Sequence, residues 1–277
     1  MSKLAEAVKQ ELLQEIYNDT LVLPTLPEAA LRVREAAEAA DISIAALAKE
    51  IGSDTALTAR IIKVVNSPLL RARQEITDLQ TAISRLGINF TSILAMGVAL
   101  EQMFQATSRV VDRKMREVWS KSIEVASISY VLARQYTPLI PDQASLAGLV
   151  HQIGVLPILT YAERHRELIA DPDSLNRVIE EIHPLIGDKI LRKWDFPAPI
   201  ATIPSQHLDF GRNSERVDYA DVVQVAVLQS YLGTEHPFTK LDWGSIAAFA
   251  KLNLDPHVDT PANGEMVDGL AVAMGNA

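Results

Sequence analysis

Apolar residues return at helical spacing along almost the whole chain, and prolines, glycines and capping residues cut that pattern into short lengths. Leu4, Val8, Leu12 and Ile16 stand at steps of four with Glu and Lys on the other side, which predicts one amphipathic helix over about 4–17. Pro24 and Pro27 interrupt the pattern next, and the second can open a new helix at its first turn. Ser43 is placed to cap a helix ending near Gly52, and Ser53 or Asp54 to cap another running to about Asn66. Leu79 to Leu86 reads as a helix stopped by Gly87, and Ile88 to Met103 as a more apolar one, central to its bundle. A long helix from about Asp112 to Tyr136 carries Trp119, Ile123, Ala126, Tyr130 and Ala133 along one side and ends before Pro138 and Pro141. Further helices fall near 142–153, 155–170, 173–194, 197–208 and 215–232, with no strand-period run beside them. The pattern predicts an all-α fold, a multi-helix bundle in two lobes with the long helix at their junction.

Composition fits that reading. Of 277 residues, 48% are hydrophobic but only 5% aromatic, and glycine is scarce at 12, a balance that suits packed helices better than sandwiches. The length is enough for a self-supporting core. A formal net charge of -9 supplies no global positive field to gather phosphate backbones or anionic lipid, so nucleic acid is disfavoured as a partner. With no cysteine, disulfides, thiolate nucleophiles and cysteine-ligated zinc are all excluded. The opening MSKLAEAVKQELLQEIY has no signal-peptide core, and no later stretch offers about 18 uninterrupted apolar residues, so the expectation is a cytoplasmic protein without a membrane span. The tail NLDPHVDTPANGEMVDG is polar and turn-rich, which predicts a loosely held extension.

The stretch SLAGLVHQIGVLPIL sets Ala147, Gly148, His151, Gly154 and Val155 on one helical face, small residues around a single imidazole. Something must approach that face closely. A packed neighbour with His151 hydrogen-bonded in the core is one reading, and the commoner for a lone histidine. A metal site is the other, and His183 in EEIHPLIGDKILRKWDFP and His207 in IPSQHLDF could complete it.

The ordered series LPTLPEAALRV, IGSDTALTARIIKVVNSPLL and ITDLQTAISRLG, followed by VWSKSIEVASISYVLA, GLVHQIG and IHPLIGDKILRKWDFP, resembles the HDOD family, a diverged branch of the HD superfamily of metal-dependent phosphohydrolases. The resemblance runs from about Leu23 to Leu232. It implies an N-terminal helix over 1–19, an HDOD domain over 20–232 with lobes at about 20–107 and 108–232, the second HD-like, and a C-terminal extension over 233–277. In catalytic relatives a histidine–aspartate pair and further histidines and an aspartate hold metal, whose bound water attacks phosphorus. Here His151 matches the histidine of the pair, but Gln152 stands at the aspartate, offering neither charge for a cation nor a basic oxygen for water. Lys121 stands where another histidine is common, and its ammonium would repel a cation. Val225 to Val227 occupies the region of the late aspartate, and Asp221 is out of register. His151, His183 and His207 remain, and three imidazoles suffice for an open zinc site. No cofactor is expected from this set; zinc, iron or manganese is the metal if one is held.

Asn66, Ser67 and Pro68 match the family's Asn-Ser pair and read structurally as a helix stop. Arg60, Lys63, Arg71, Arg73 and Arg85 concentrate positive charge in the N-terminal half, most simply a solvated face. Asp188 and Asp209 read as solvated, Trp194 as a core anchor, and His165, His236 and His257 suggest no role. The leading expectation is a non-catalytic regulatory module in signal transduction. Its groove, with Gly148, Lys121, His151, Gln152, His183 and His207, would take a signalling protein in trans or a small signalling ligand, and a homodimer is a further form. The rival is a divergent metal-dependent phosphohydrolase acting on a nucleotide or phosphoester.

Overall fold

The computed structural model describes residues 3–39, 42–67 and 74–256, and among these every regular element is helical. In chain order they are α1 (Lys3–Tyr17), α2 (Glu28–Glu38), α3 (Ile44–Gly52), α4 (Thr55–Val65), α5 (Leu79–Leu86), α6 (Ile88–Glu101) and α7 (Arg109–Tyr136). They continue with α8 (Pro141–Val150), α9 (Val155–Arg164), α10 (Arg166–Ile169), α11 (Pro172–Lys193), α12 (Ala198–Ala201), α13 (Ile203–Gln206), α14 (Tyr219–Gln229) and α15 (Ala247–Lys251). Contacts divide them into two units: Leu26–Met103 forms one, and the stretch up to Thr25 joins the chain from Phe104 onward to form the other.

The Leu26–Met103 unit is built around α6, whose residues from Thr91 to Leu100 are all buried. A helix covered on every side needs no polar stripe, which is why its sequence is apolar throughout. Its neighbours start where short polar side chains can satisfy orphan N–H groups. Ser43 Oγ accepts from Ala46 N at 3.1 Å, Asp54 Oδ1 from Leu57 N at 3.0 Å and Asp78 Oδ1 from Thr81 N at 2.8 Å. Gly87, at φ 85°, ends α5 and turns the chain into α6, a backbone angle that suits glycine. Asn66 closes α4 with three hydrogen bonds: its Nδ2 donates to Ile62 O (2.9 Å) and Ile76 O (2.7 Å), and its Oδ1 accepts from Ile76 N (2.9 Å). The side chain thereby staples the helix end to the returning chain. Pro68, Arg71 and Arg73 lie outside the described residues; Lys63 and Arg85 are exposed, and Arg60 pairs with Glu101 at 3.6 Å.

In the other unit α8 lies along α7 and α14 packs on both. Gly148 makes the α7–α8 approach feasible, because a Cβ there would stand 2.6 Å from Ala126 Cα. A second close approach falls at Gly154, where a Cβ would meet the carbonyl oxygen of His183 on α11. The small face anticipated around His151 is thus shared between two helices. Against α11 lies α1, where Val8, Leu12 and Ile16 of the stripe read from the sequence are buried and Ala5, rather than the partly exposed Leu4, completes it. Lys9 Nζ meets Glu181 at 2.5 Å, and Lys189 Nζ donates to Ile16 O at 2.9 Å.

Between the last helix read from the sequence and the tail expected to be loosely held, the structure adds packed elements. Residues 237–251 form two 3₁₀ turns, Pro237–Lys240 and Trp243–Ser245, and then α15. Trp243, Ile246, Ala248, Phe249 and Leu252 are buried. These apolar side chains anchor the segment, and an ion cluster fixes the result. Asp221, fully buried, accepts from Arg212 Nη1 at 2.7 Å and from Lys251 Nζ at 3.1 Å. The remainder of the tail, with His257, lies outside the described residues. Pro141–Arg164 is the one helical stretch among the described residues that is long and apolar enough to cross a bilayer, and 83% of its apolar window is buried inside the protein.

Candidate functional site

The three histidines come from three different elements and meet at one cavity of about 480 Å³. His151 follows the last turn of α8, His183 sits within α11, and His207 follows α13. All three are buried, at 0, 3 and 1% exposure. The His207 ring stands edge-on to His151 at 5.0 Å between centroids and to His183 at 5.4 Å.

Each ring is fixed through Nδ1. His151 Nδ1 lies 2.6 Å from Gly148 O, His183 Nδ1 2.7 Å from Ile179 O, and His207 Nδ1 2.9 Å from Pro204 O. A carbonyl can only accept, so each Nδ1 carries the hydrogen and each Nε2 keeps its lone pair. His151 Nε2 and His183 Nε2 hydrogen-bond to no protein atom and are buried. Burial holds the rings neutral. It pushes His151 down to about 3, with His183 and the ammonium of Lys121 adding to the effect, pushes His183 down to about 4, and places His207 well below its ordinary value.

Lys121 and Gln152 line the same cavity. The Lys121 ammonium is held by Glu124 Oε2 at 2.7 Å and Ser230 O at 2.9 Å, and lies 4.4 Å from the centre of the Tyr231 ring. Gly148 packs against α7 and takes no part in the lining, a correction to its place in the expected groove. His236, which the sequence left without a role, lies on the lining, stacked on Tyr231 at 3.7 Å. Two supports were also illegible. Asp188 accepts from Ser205 N (3.0 Å) and Ser205 Oγ (2.8 Å), and Gln224 Nε2 donates to Gln206 O (3.0 Å) and Asp209 O (2.7 Å). Together they pin the turn that carries His207 from both sides. Asp188 is therefore a positioning group rather than a solvated one. The only local signal was a serine two residues before a histidine, which is common.

The donor set does not suit a catalytic divalent cation. Among the described residues no three His, Cys, Asp or Glu side chains are arranged to hold one metal ion. No carboxylate there hydrogen-bonds any of the three rings, since every Nδ1 is spent on backbone. Glu117 and Glu180 line the cavity, but so do the cations Lys114 and Lys121. Backbone-oriented imidazoles are ordinary metal ligands; what fails to suit a metal is the spacing of the side chains and the two cations on the lining.

An all-helical chain with buried histidines converging between α8, α11 and α13 has the architecture of the HD-like helical proteins. The HDOD domain model matches residues 23–210, and the chain belongs to the HDOD family. A Shewanella amazonensis protein provisionally assigned as a metal-dependent phosphohydrolase is 31% identical, with a TM-score of 0.82 over 98% of this chain and 99% of that one. A Geobacter sulfurreducens HDOD domain protein of unknown function superposes with a TM-score of 0.63 at 19% identity, over 96% of this chain and 97% of that one. A Marinobacter aquaeolei protein provisionally assigned to signal transduction gives 0.67 at 21% identity, covering 97% of this chain and 66% of that one. An uncharacterized Treponema pallidum protein is 21% identical over 87% of this chain, which spans about half (48%) of that relative's length.

Proposed function

We propose that this chain is a non-catalytic module of signal transduction that works in the cytoplasm by binding, with the three-histidine cavity as its ligand site and a signalling protein in trans as its output. One observation carries the reading: the place of the acidic ligand beside His151 is taken by Gln152, and a tethered ammonium, Lys121, lies on the same cavity. Phosphoester hydrolysis needs a group that makes water nucleophilic and a group that stabilises charge developing on phosphorus oxygens. Burial lowers the basicity of all three rings and no carboxylate hydrogen-bonds them, so the site holds no strong base for water. The Marinobacter relative's assignment to signal transduction points the same way.

The rival reading, a divergent metal-dependent phosphohydrolase, is favoured by the 31% identity to the Shewanella protein. Metal analysis of chelator-free protein separates the two, together with release of p-nitrophenol from mono- and diester substrates under added manganese, zinc or iron. Metal-free, inactive protein supports the binding module. Stoichiometric metal that His151→Ala abolishes, with turnover that disappears in the same variant, establishes the hydrolase instead.

A further inference from the structure

The cavity restricts the chemistry of what it can hold, an argument that rests on the binding reading above and sharpens it. Two buried Nε2 atoms, on His151 and His183, are hydrogen-bond acceptors without a protein donor, on rings that line the cavity. Their tautomer is locked, because Nδ1 of each donates to its own segment's backbone at 2.6 and 2.7 Å. A ligand atom reaching this floor must therefore bring hydrogens. Carboxylate and sulfate oxygens, and the ionised oxygens of a phosphate group, bring none, and would set lone pair against lone pair. A buried acceptor left without a donor is destabilising, so the right ligand gains what the wrong one loses.

Charge argues the same way. Lys114 and Lys121 on the lining are offset by Glu117 and Glu180, and Lys121 already donates to Glu124 and to Ser230 O. No net field draws an anion inward. The volume of about 480 Å³ lies in the range that encloses a small molecule. We infer that the cavity binds an uncharged small molecule through its donor groups, an amino or amide N–H pair or neighbouring hydroxyls delivered to Nε2 of His151 and His183. The end of the molecule that meets the histidines is thus the neutral one, and a phosphorylated end is excluded from the floor.

The test uses the full chain with labelled histidine, titrated with adenosine, which carries an amino group and a diol, and with myo-inositol, then with adenosine monophosphate and sulfate, an anion without hydrogens. The expected result is saturable binding of at least one uncharged probe, with movement of the Nε2 resonances of His151 and His183. Affinity should fall roughly tenfold in His183→Phe, about one hydrogen bond. Its tryptophan emission checks the fold, and His183→Gln, which returns an acceptor, should recover part of the loss. Sulfate should leave the rings unmoved, and the monophosphate should bind no tighter than adenosine. Tighter binding of the monophosphate, movement of the rings by sulfate, or no movement by either uncharged probe overturns the inference. The last outcome with no hydrolysis removes only this ligand class; phosphoester turnover removes the binding reading itself.

Discussion

Acidification from about pH 7 to about pH 5 should destabilise the unit that contains the histidines by several kcal/mol, and the amount can be worked without knowing their folded pKa values closely. Each ring has an ordinary value of 6.5 and is held lower by burial, to about 3 for His151, about 4 for His183 and well below 6.5 for His207. The folded state therefore binds fewer protons than the unfolded one throughout this interval, and stability falls as pH falls. The stabilisation is complete above 6.5, declines below it, and stops changing only beneath the folded values. Near pH 5 an unfolded ring is almost wholly protonated while folded His151 and His183 are almost wholly neutral, so each of these two costs about 2 kcal/mol. Together they give about 4 kcal/mol, and His207 adds in the same direction. Urea melts followed by tryptophan emission measure this unit alone, since Trp119, Trp194 and Trp243 all lie in it. His183→Gln should reduce the difference between the two pH values by about 2 kcal/mol, whatever it does to stability at neutral pH. Equal stability at both pH values, or the same difference in the variant, would refute the neutral buried rings.

Gly148→Ala drives a methyl group against the Ala126 backbone, so its thermal or urea midpoint should fall by the equivalent of about 1–3 kcal/mol, with little effect if α8 can shift. Asp221→Asn leaves Arg212 and Lys251 facing a neutral amide at a fully buried position; a loss of roughly 3–5 kcal/mol is expected, with faster proteolysis after residue 240 as the readout. Asn66→Ala removes three hydrogen bonds at the end of α4. Amide exchange around Ile76 should accelerate, with a loss of about 1–3 kcal/mol, while the histidine unit keeps its tryptophan-detected melt.

What the sequence made legible was local. The stripe of α1, the cap at Ser43, the cap at Ser53 or Asp54 that falls to Asp54, the stop at Gly87 and the wholly apolar α6 all follow from spacing within a few residues, so pattern suffices for them. Boundaries slipped where a break is a matter of geometry: 155–170 divides at His165 into α9 and α10, and 197–208 into α12 and α13. The three histidines could be named but not joined by pattern, because their meeting depends on how Gly154 lets α11 approach. The supports were hidden for the same reason. Asp188 reaches Ser205 across 17 residues, Gln224 reaches back 15 and 18, and Lys121 finds Ser230 O across 109. Polar residues with such distant partners look no different in sequence from solvated ones. The packed 237–251 segment was missed because its elements are two 3₁₀ turns and a five-residue helix, too short for a spacing pattern.

The most direct test of a floor made of neutral acceptors is the ring ¹⁵N spectrum of the histidines at neutral pH, recorded before and after one equivalent of zinc. The account predicts that His151, His183 and His207 each carry hydrogen on Nδ1 and a bare Nε2, and that zinc leaves all three unchanged. Protonated Nε2 atoms, or Nε2 resonances that shift together on stoichiometric zinc, would contradict it.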